Sequence, residues 1–294
     1  MANDLFERHR VIWLAGGPVA VHEAGAEDAP PVLLLHGAMY DESRFIWRHL
    51  VPALKPWRRV VAIDLPRHGG SRPWSGTVDS DCLTAVVEAV VQELGLPPLP
   101  MIGLSMGGAV AINYGLRHPE RVTAGVFLGP GGLGDRVANQ FLSWLFVKTP
   151  GALRSLAWYY GRQTKQQMKK LVCQMLEGHP DDAELDELTD VLCEEAKQKH
   201  TNRERAMDDW QLEGLAPFRL RFNLLPELHR LGFPTLWLRG QNDPLVGQAV
   251  MEQAASLAPR AALRVVERAG HLLPLEQPEE VNRLIAEFLR GNGV

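Results

Sequence analysis

The chain has 294 residues, 46% hydrophobic and 22% charged, a length and balance that can bury one large core and exclude the low-hydrophobicity signature of disorder. Its formal net charge of -4 at pH 7 argues against a protein whose main partner is nucleic acid or an anionic membrane, either of which calls for a basic footprint.

In chain order, Met1 to Arg10 carry Asp4, Glu7, Arg8 and Arg10, and Gly16 interrupts before an apolar export signal can form. Short runs rich in Val, Ile and Leu then predict strands at Val11 to Leu14, Val19 to Glu23, Val32 to Leu35, Val60 to Asp64, Met101 to Leu104, Ala124 to Leu128, Thr235 to Arg239 and Leu263 to Val266. The first two are read as an antiparallel hairpin. Helical periods fall between the later strands, at Ser80 to Leu94, Met106 to Arg117, Gln248 to Ala258 and Pro278 to Leu289. This alternation predicts an α/β fold around a mostly parallel, buried sheet of eight strands.

From 133 to 228 strand-like runs vanish and Leu, Trp, Met, Lys and Glu recur at helical spacing. That stretch is read as an inserted helical lid, with turns at Thr149-Pro150-Gly151, at Gly178-His179-Pro180-Asp181 and at Ala216-Pro217. The expected core domain is then 1–132 together with 229–294. No run approaches the roughly 18 to 20 apolar residues that span a bilayer. Cys82, Cys173 and Cys193 form an odd set without CxxC spacing, which fits a reducing cytoplasm better than a disulfide framework or a zinc site.

Gly103-Leu104-Ser105-Met106-Gly107 reads GxSxG between an apolar strand and a helical run. A sharp strand-to-helix turn forces the serine oxygen out above the sheet, and the flanking glycines let backbone crowd there. A serine hydroxyl is a weak nucleophile and needs a base, itself oriented by a third group. Asp243 and His271 each lie just beyond the carboxyl end of a strand, giving the chain order Ser105, Asp243, His271. His36-Gly37-Ala38-Met39 follows another strand, so the amides of Ala38 and Met106 are the expected oxyanion donors. His36 is read as bracing that loop.

In this order of residues the chain resembles the α/β-hydrolase superfamily over nearly its full length. The matching residues are His36-Gly37, Asp64-Leu65-Pro66-Arg67-His68-Gly69-Gly70-Ser71, Gly103 to Gly107, Asp243 and His271. Relatives usually carry Gly where Arg67 stands, at a position expected on the lip of the pocket, and Asp64 and His68 are read as structural. Asn113 to Val122 and Leu128 to Gly134 look like the corresponding stretches of carbon-carbon hydrolases that cleave ring-opened aromatic products. Those enzymes usually have a glycine-rich oxyanion loop and a Trp after the catalytic His. This chain has Ala38-Met39-Tyr40 and Leu272, and Leu272 to Glu276 looks more like general carboxylesterases. The resemblance therefore implies a serine hydrolase of carboxylic esters by an acyl-enzyme route, with carbon-carbon cleavage of a dienoic acid as the alternative.

Other readings are weaker. Gly129 to Gly134 also fits GxGxxG, but Pro130 stiffens the turn and no acidic residue follows at a strand end, so dinucleotide binding is not expected. His179, Asp181 and Asp182 sit in a turn and are read as solvated rather than as metal ligands. Neither a cofactor nor a metal is expected. Lid aromatics including Trp144, Trp158, Tyr159, Tyr160 and Trp210 either line an apolar pocket or, for most of them, pack the lid. Charges from Lys197 to Arg205 are read as a solvated helix face, while Arg219 or Arg221 could meet a substrate carboxylate. The partner expected is a small molecule with an apolar acyl or aromatic part. A perhydrolase or a ligand receptor on the same fold would keep the same three residues.

Overall fold

A computed structural model describes residues 5–137, 139–178 and 180–294. Eight strands form one sheet: β1 (Arg8–Leu14), β2 (Gly17–Ala24), β3 (Pro31–Leu35), β4 (Arg59–Ile63), β5 (Leu99–Leu104), β6 (Val122–Leu128), β7 (Thr235–Gly240) and β8 (Ala261–Val266). Their order across the sheet is β1-β2-β4-β3-β5-β6-β7-β8. β1 pairs antiparallel with β2, and β2 with β4, and every later pairing is parallel.

The helices are α1 (Ser43–Ile46), α2 (Leu50–Leu54), α3 (Ser80–Glu93), α4 (Met106–Arg117), α5 (Gln140–Lys148), α6 (Ala152–Gly161), α7 (Lys165–Met175), α8 (Asp182–Thr201), α9 (Asp209–Gly214), α10 (Gln248–Leu257), α11 (Leu273–Glu276) and α12 (Pro278–Gly291). Alternation along the strands feeds two cores, one on each face. Leu33 and Leu35 of β3 join α3, α4 and α10, whereas Val32 and Leu34 join α2 and α12. Every predicted strand is present. β8 begins two residues earlier than expected because Ala261 and Ala262 give no β signal, and the short helices α1, α2 and α11 went unpredicted.

Helices α5 to α9 form an insert between β6 and β7. The chain enters and leaves it through one neck, where Leu224 N donates to Gly132 O at 2.8 Å and Leu220 N to Asp135 O at 2.7 Å. Leu185, Leu188, Leu192 and Ala196 of α8, with Met168 and Val172 of α7, are buried in the same cluster as Ile102, Leu104 and Leu128 of the sheet. The insert thus adds to the α2/α12-side core rather than enclosing one of its own.

Buried ion pairs fasten it further. Lys199 of α8 is 1% exposed and its Nζ lies 2.7 Å from Asp208 Oδ1, while Arg72 contacts Glu195 at 2.9 Å and Glu204 at 3.3 Å. This corrects the expectation of a solvated face from Lys197 to Arg205: Lys197 is exposed, but Lys199 falls on the buried stripe of Leu188, Leu192 and Glu195 that α8 turns inward. Asp181 caps α8, accepting from Glu184 N at 2.8 Å. His179 lies outside the described residues.

Candidate active site

The strand order explains why distant residues converge. β3, β5, β6, β7 and β8 are consecutive and parallel, so the loops bearing Ala38, Ser105, Gly129, Asp243 and His271 all leave from the same edge of the sheet. Ser105 occupies the turn from β5 to α4 with φ 51° and ψ -113°, a backbone conformation that costs about 1–3 kcal/mol and persists only where its surroundings enforce it. Ser105 N donates to Leu128 O at 2.9 Å, and its carbonyl accepts from Ala109 N at 3.0 Å and Gly131 N at 2.9 Å. Glycine is required beside it: a Cβ on Gly107 would stand 2.1 Å from Leu35 O.

Asp243 lies past β7 and His271 past β8. His271 Nδ1 is 2.9 Å from Asp243 Oδ2, and the other carboxylate oxygen of Asp243 accepts from Leu245 N at 2.8 Å and Val246 N at 3.0 Å. Burial raises the affinity of Asp243 for a proton, but the bond to His271 and those two amides outweigh it, so its carboxyl titrates below the ordinary value. An ionised Asp243 accepts a hydrogen bond from Nδ1–H of a neutral imidazole, which keeps the proton on Nδ1 and leaves the lone pair on Nε2. That Nε2 is buried without a protein partner among the described residues, so it is not hydrogen-bonded to Ser105 Oγ. The structure therefore joins Asp243 to His271 and sets Ser105 and His271 on one cavity wall without closing the third contact.

The loop after β3 is held on both sides of Ala38. Gly37 N donates to Asp41 Oδ2 at 2.5 Å and Met39 N to Asp208 Oδ2 at 2.6 Å. Among the described residues the amides of Ala38 and Met106 donate to nothing, and Met106 N also begins helix α4, where the backbone dipole is positive. Asp208 stays ionised despite burial because Lys199 and His68 outweigh it. His36 braces the loop as expected, with Nδ1 2.7 Å from Gly37 O and Nε2 accepting from Leu65 N at 2.8 Å. Asp64 is likewise structural, accepting from Gly70 N and Ser43 N.

Ser105 and His271 open onto a cavity of about 230 Å³. Its walls include Phe45, Leu104, Met168, Leu171, Leu192 and Leu272, with Tyr40 and Tyr160 in edge contact at 5.5 Å. Among the described residues no Lys or Arg lines it, and Arg219 and Arg221 are exposed elsewhere. Arg67 is not on its lip either: at φ 67°, the conformation that explains glycine in relatives, it reaches Asp209 at 2.8 Å and Gly76 O at 2.6 Å. Among the described residues of the insert, Tyr160 is the aromatic that lines the cavity, Trp210 packs against the core, and Trp144 is half-buried, whereas Trp158 and Tyr159 are about half exposed and depart from the packing expected. The first glycine of the GxGxxG stretch stands at this site. Gly129, at φ 44°, faces the Asp243–His271 pair so closely that a Cβ would lie 3.0 Å from Asp243 Oδ2.

Residues 30–278 match the model of the alpha/beta hydrolase fold family. The chain belongs to the α/β-hydrolase family. It is 28% identical over 283 residues to carboxylesterase YbfK of Bacillus subtilis, covering 94% of this chain and 85% of that one. The crystal structure of that esterase superposes with a TM-score of 0.70 at 23% identity, over 98% of this chain and 94% of the other. A 2-hydroxy-6-oxononadienedioate/2-hydroxy-6-oxononatrienedioate hydrolase of Pseudomonas putida is also 28% identical, over 90% of this chain and 89% of its own. So is the dihydrolipoyllysine-residue acetyltransferase component of the acetoin cleaving system of the same species, over 91% of this chain; the chain spans 65% of that protein's length. This α/β hydrolase is thus a serine hydrolase by family, with relatives on both sides of the division between ester and carbon-carbon cleavage. No helix among the described residues is long and apolar enough to cross a membrane.

Proposed function

We propose that the protein is a carboxylesterase acting on uncharged esters with an apolar acyl part. Ser105 adds to the ester carbonyl while His271 Nε2 takes its proton, Asp243 stabilises the imidazolium, and the amides of Ala38 and Met106 receive the oxyanion. His271 then protonates the leaving alcohol, and water activated by the same ring releases the acid. The reading requires the Ser105 hydroxyl to swing towards Nε2 when substrate binds, a rotation about χ1 of the kind that commonly tightens such contacts on binding. Residues 133–228 act as the lid that roofs the cavity.

The observation that carries the ester reading is the cavity wall, which is mostly apolar and, among the described residues, without Lys or Arg. A ring-opened dienoic acid brings a carboxylate that would lose its hydration there without a cation in return, at a cost of several kcal/mol. The burial of Asp41, which pushes its carboxyl well above the usual range, reinforces this: the site resists a charge even on its own acid. The cytoplasm remains the compartment proposed.

Labelling by a fluorophosphonate probe tests the nucleophile: Ser105→Ala abolishes it and lowers ester turnover by several orders of magnitude. Retained labelling assigns the chemistry to another residue. A panel of p-nitrophenyl esters of graded acyl length beside one dienoic acid tests the substrate class, and faster turnover of the dienoic acid refutes it.

A further inference from the structure

Helix α5, Gln-Phe-Leu-Ser-Trp-Leu-Phe-Val-Lys, is the most apolar stretch of the insert, yet only Gln140 is buried. Phe141, Leu142, Leu145 and Phe146 occupy one face of it and are 47 to 64% exposed. Phe218, 72% exposed, stacks on Phe141 with centroids 5.9 Å apart and so extends the face. Helix α6 touches α5 and exposes Trp158 and Tyr159, each by about half. Monomeric soluble proteins rarely leave so many large apolar side chains contiguous unless something covers them.

The charge around this face names the cover. From 136 to 176 the sequence holds basic residues at 136, 148, 154, 162, 165, 169 and 170 and no Asp or Glu, within a chain whose net charge is -4. Lys165 and Lys169 are matched by Asp190 and Asp186 of α8. Lys148, Arg154 and Arg162 make no ion pair among the described residues. Lys148 closes α5 one turn beyond Leu145, while Arg154, Trp158 and Arg162 form one ridge along α6, with Arg162 lying 5.2 Å over the Trp158 ring.

We infer that the α5–α6 face docks on an anionic lipid surface, inserting its apolar side chains among the acyl chains with Lys148, Arg154 and Arg162 at headgroup level. A second copy of the chain fits the face less well, because a two-fold interface presents the same patch from both sides and this patch has no Asp or Glu to match the cations. The face also adjoins the cavity: Tyr160, next to Tyr159, lines it, as do the half-exposed Met175 and the exposed Leu245. Docked in this way, the enzyme holds an apolar entrance near the phase in which uncharged apolar esters dissolve. The docking does not depend on the chemistry at Ser105.

Sedimentation with vesicles tests it. The intact chain pellets with vesicles of phosphatidylcholine and phosphatidylglycerol at 7:3, binds pure phosphatidylcholine at least tenfold more weakly, and weakens on the anionic vesicles as salt rises. Ser105→Ala binds as the parent does. Leu142→Asp/Phe146→Asp and Lys148→Glu/Arg154→Glu each lose binding tenfold or more while hydrolysing a short soluble ester at the parent rate, which shows that they fold. Failure of the intact chain to pellet overturns the inference, as does equal binding to both vesicles. So does a concentration-dependent dimer in sedimentation velocity that Leu142→Asp/Phe146→Asp dissolves, since the face would then belong to a second copy.

Discussion

At the scale of single residues, the site is as much a matter of what is missing as of what is present. Gly129 stands against the Asp243–His271 pair at a positive φ, so a methyl group there meets Asp243 Oδ2 at 3.0 Å and the His271 ring at 3.3 Å while also straining the backbone. Gly129→Ala is expected to tilt the imidazole from the Ser105 side and to lower kcat by roughly 100-fold, the usual cost of about 1 Å of misplacement. Turnover of a soluble ester, measured beside thermal melting, checks this. Parent-like kcat in a folded variant would mean that the ring position is not decisive. The places of Ser105, Asp243, His271, Ala38 and Met106 at one edge of the sheet were legible in the sequence, because strand ends and a glycine-flanked turn leave a local signature. Arg67 was not, since its left-handed backbone and its contact with Asp209 depend on a helix more than 140 positions away.

Among the elements, the strands announce themselves through runs of β-branched and aliphatic residues, buried on both faces from β2 to β7, and all eight were predicted. The insert was legible only as helical. An amphipathic helix states which side is apolar and says nothing of the angle at which it crosses its neighbours. The cavity walls supplied by Met168, Leu171 and Leu192 were therefore missed, as was the outward turn of Trp158 and Tyr159. Lys199 offered a signal that went unused, a charge on the buried stripe of α8. Its removal in Lys199→Met is expected to cost about 3–5 kcal/mol, because Asp208 is left ionised, buried and short of a partner. Adding Asp208→Asn should recover part of that loss, since the amide oxygen can still accept from Met39 N. Urea denaturation reads both, and a loss below about 1 kcal/mol for the single variant would show the pair to be dispensable.

For the molecule as a whole, the net charge of -4 averages over halves of the insert that differ in sign, so it could not disclose the basic, apolar face of α5 and α6. Acid sensitivity is also a property of the whole. Burial, with His68 as a second cause, lowers the pKa of His36 to about 3. In the unfolded chain this imidazole protonates near 6.5, so below that pH the unfolded state binds the extra proton. The stability of the neutral folded ring is therefore complete above about pH 6.5 and is lost as pH falls towards 3, at roughly 1.4 kcal/mol per unit. Glu42, whose burial raises it to about 7, has the opposite slope, so the group is best isolated by difference. Unfolding free energies of the parent and His36→Gln are expected to converge from pH 7 to pH 4, and a constant gap would assign the loss to other groups.

The neck formed by residues 132–135 and 220–224 makes the helices above it a replaceable part. Insertions, deletions or exchange between those two points leave strand pairing untouched, provided the new segment again covers Ile102, Leu104 and Leu128 and holds Met39 N, so a lineage can trade one insert for another and acquire new reactants over the same strands. That freedom is a physical reason why catalysts of ester and carbon-carbon cleavage share so much of this architecture.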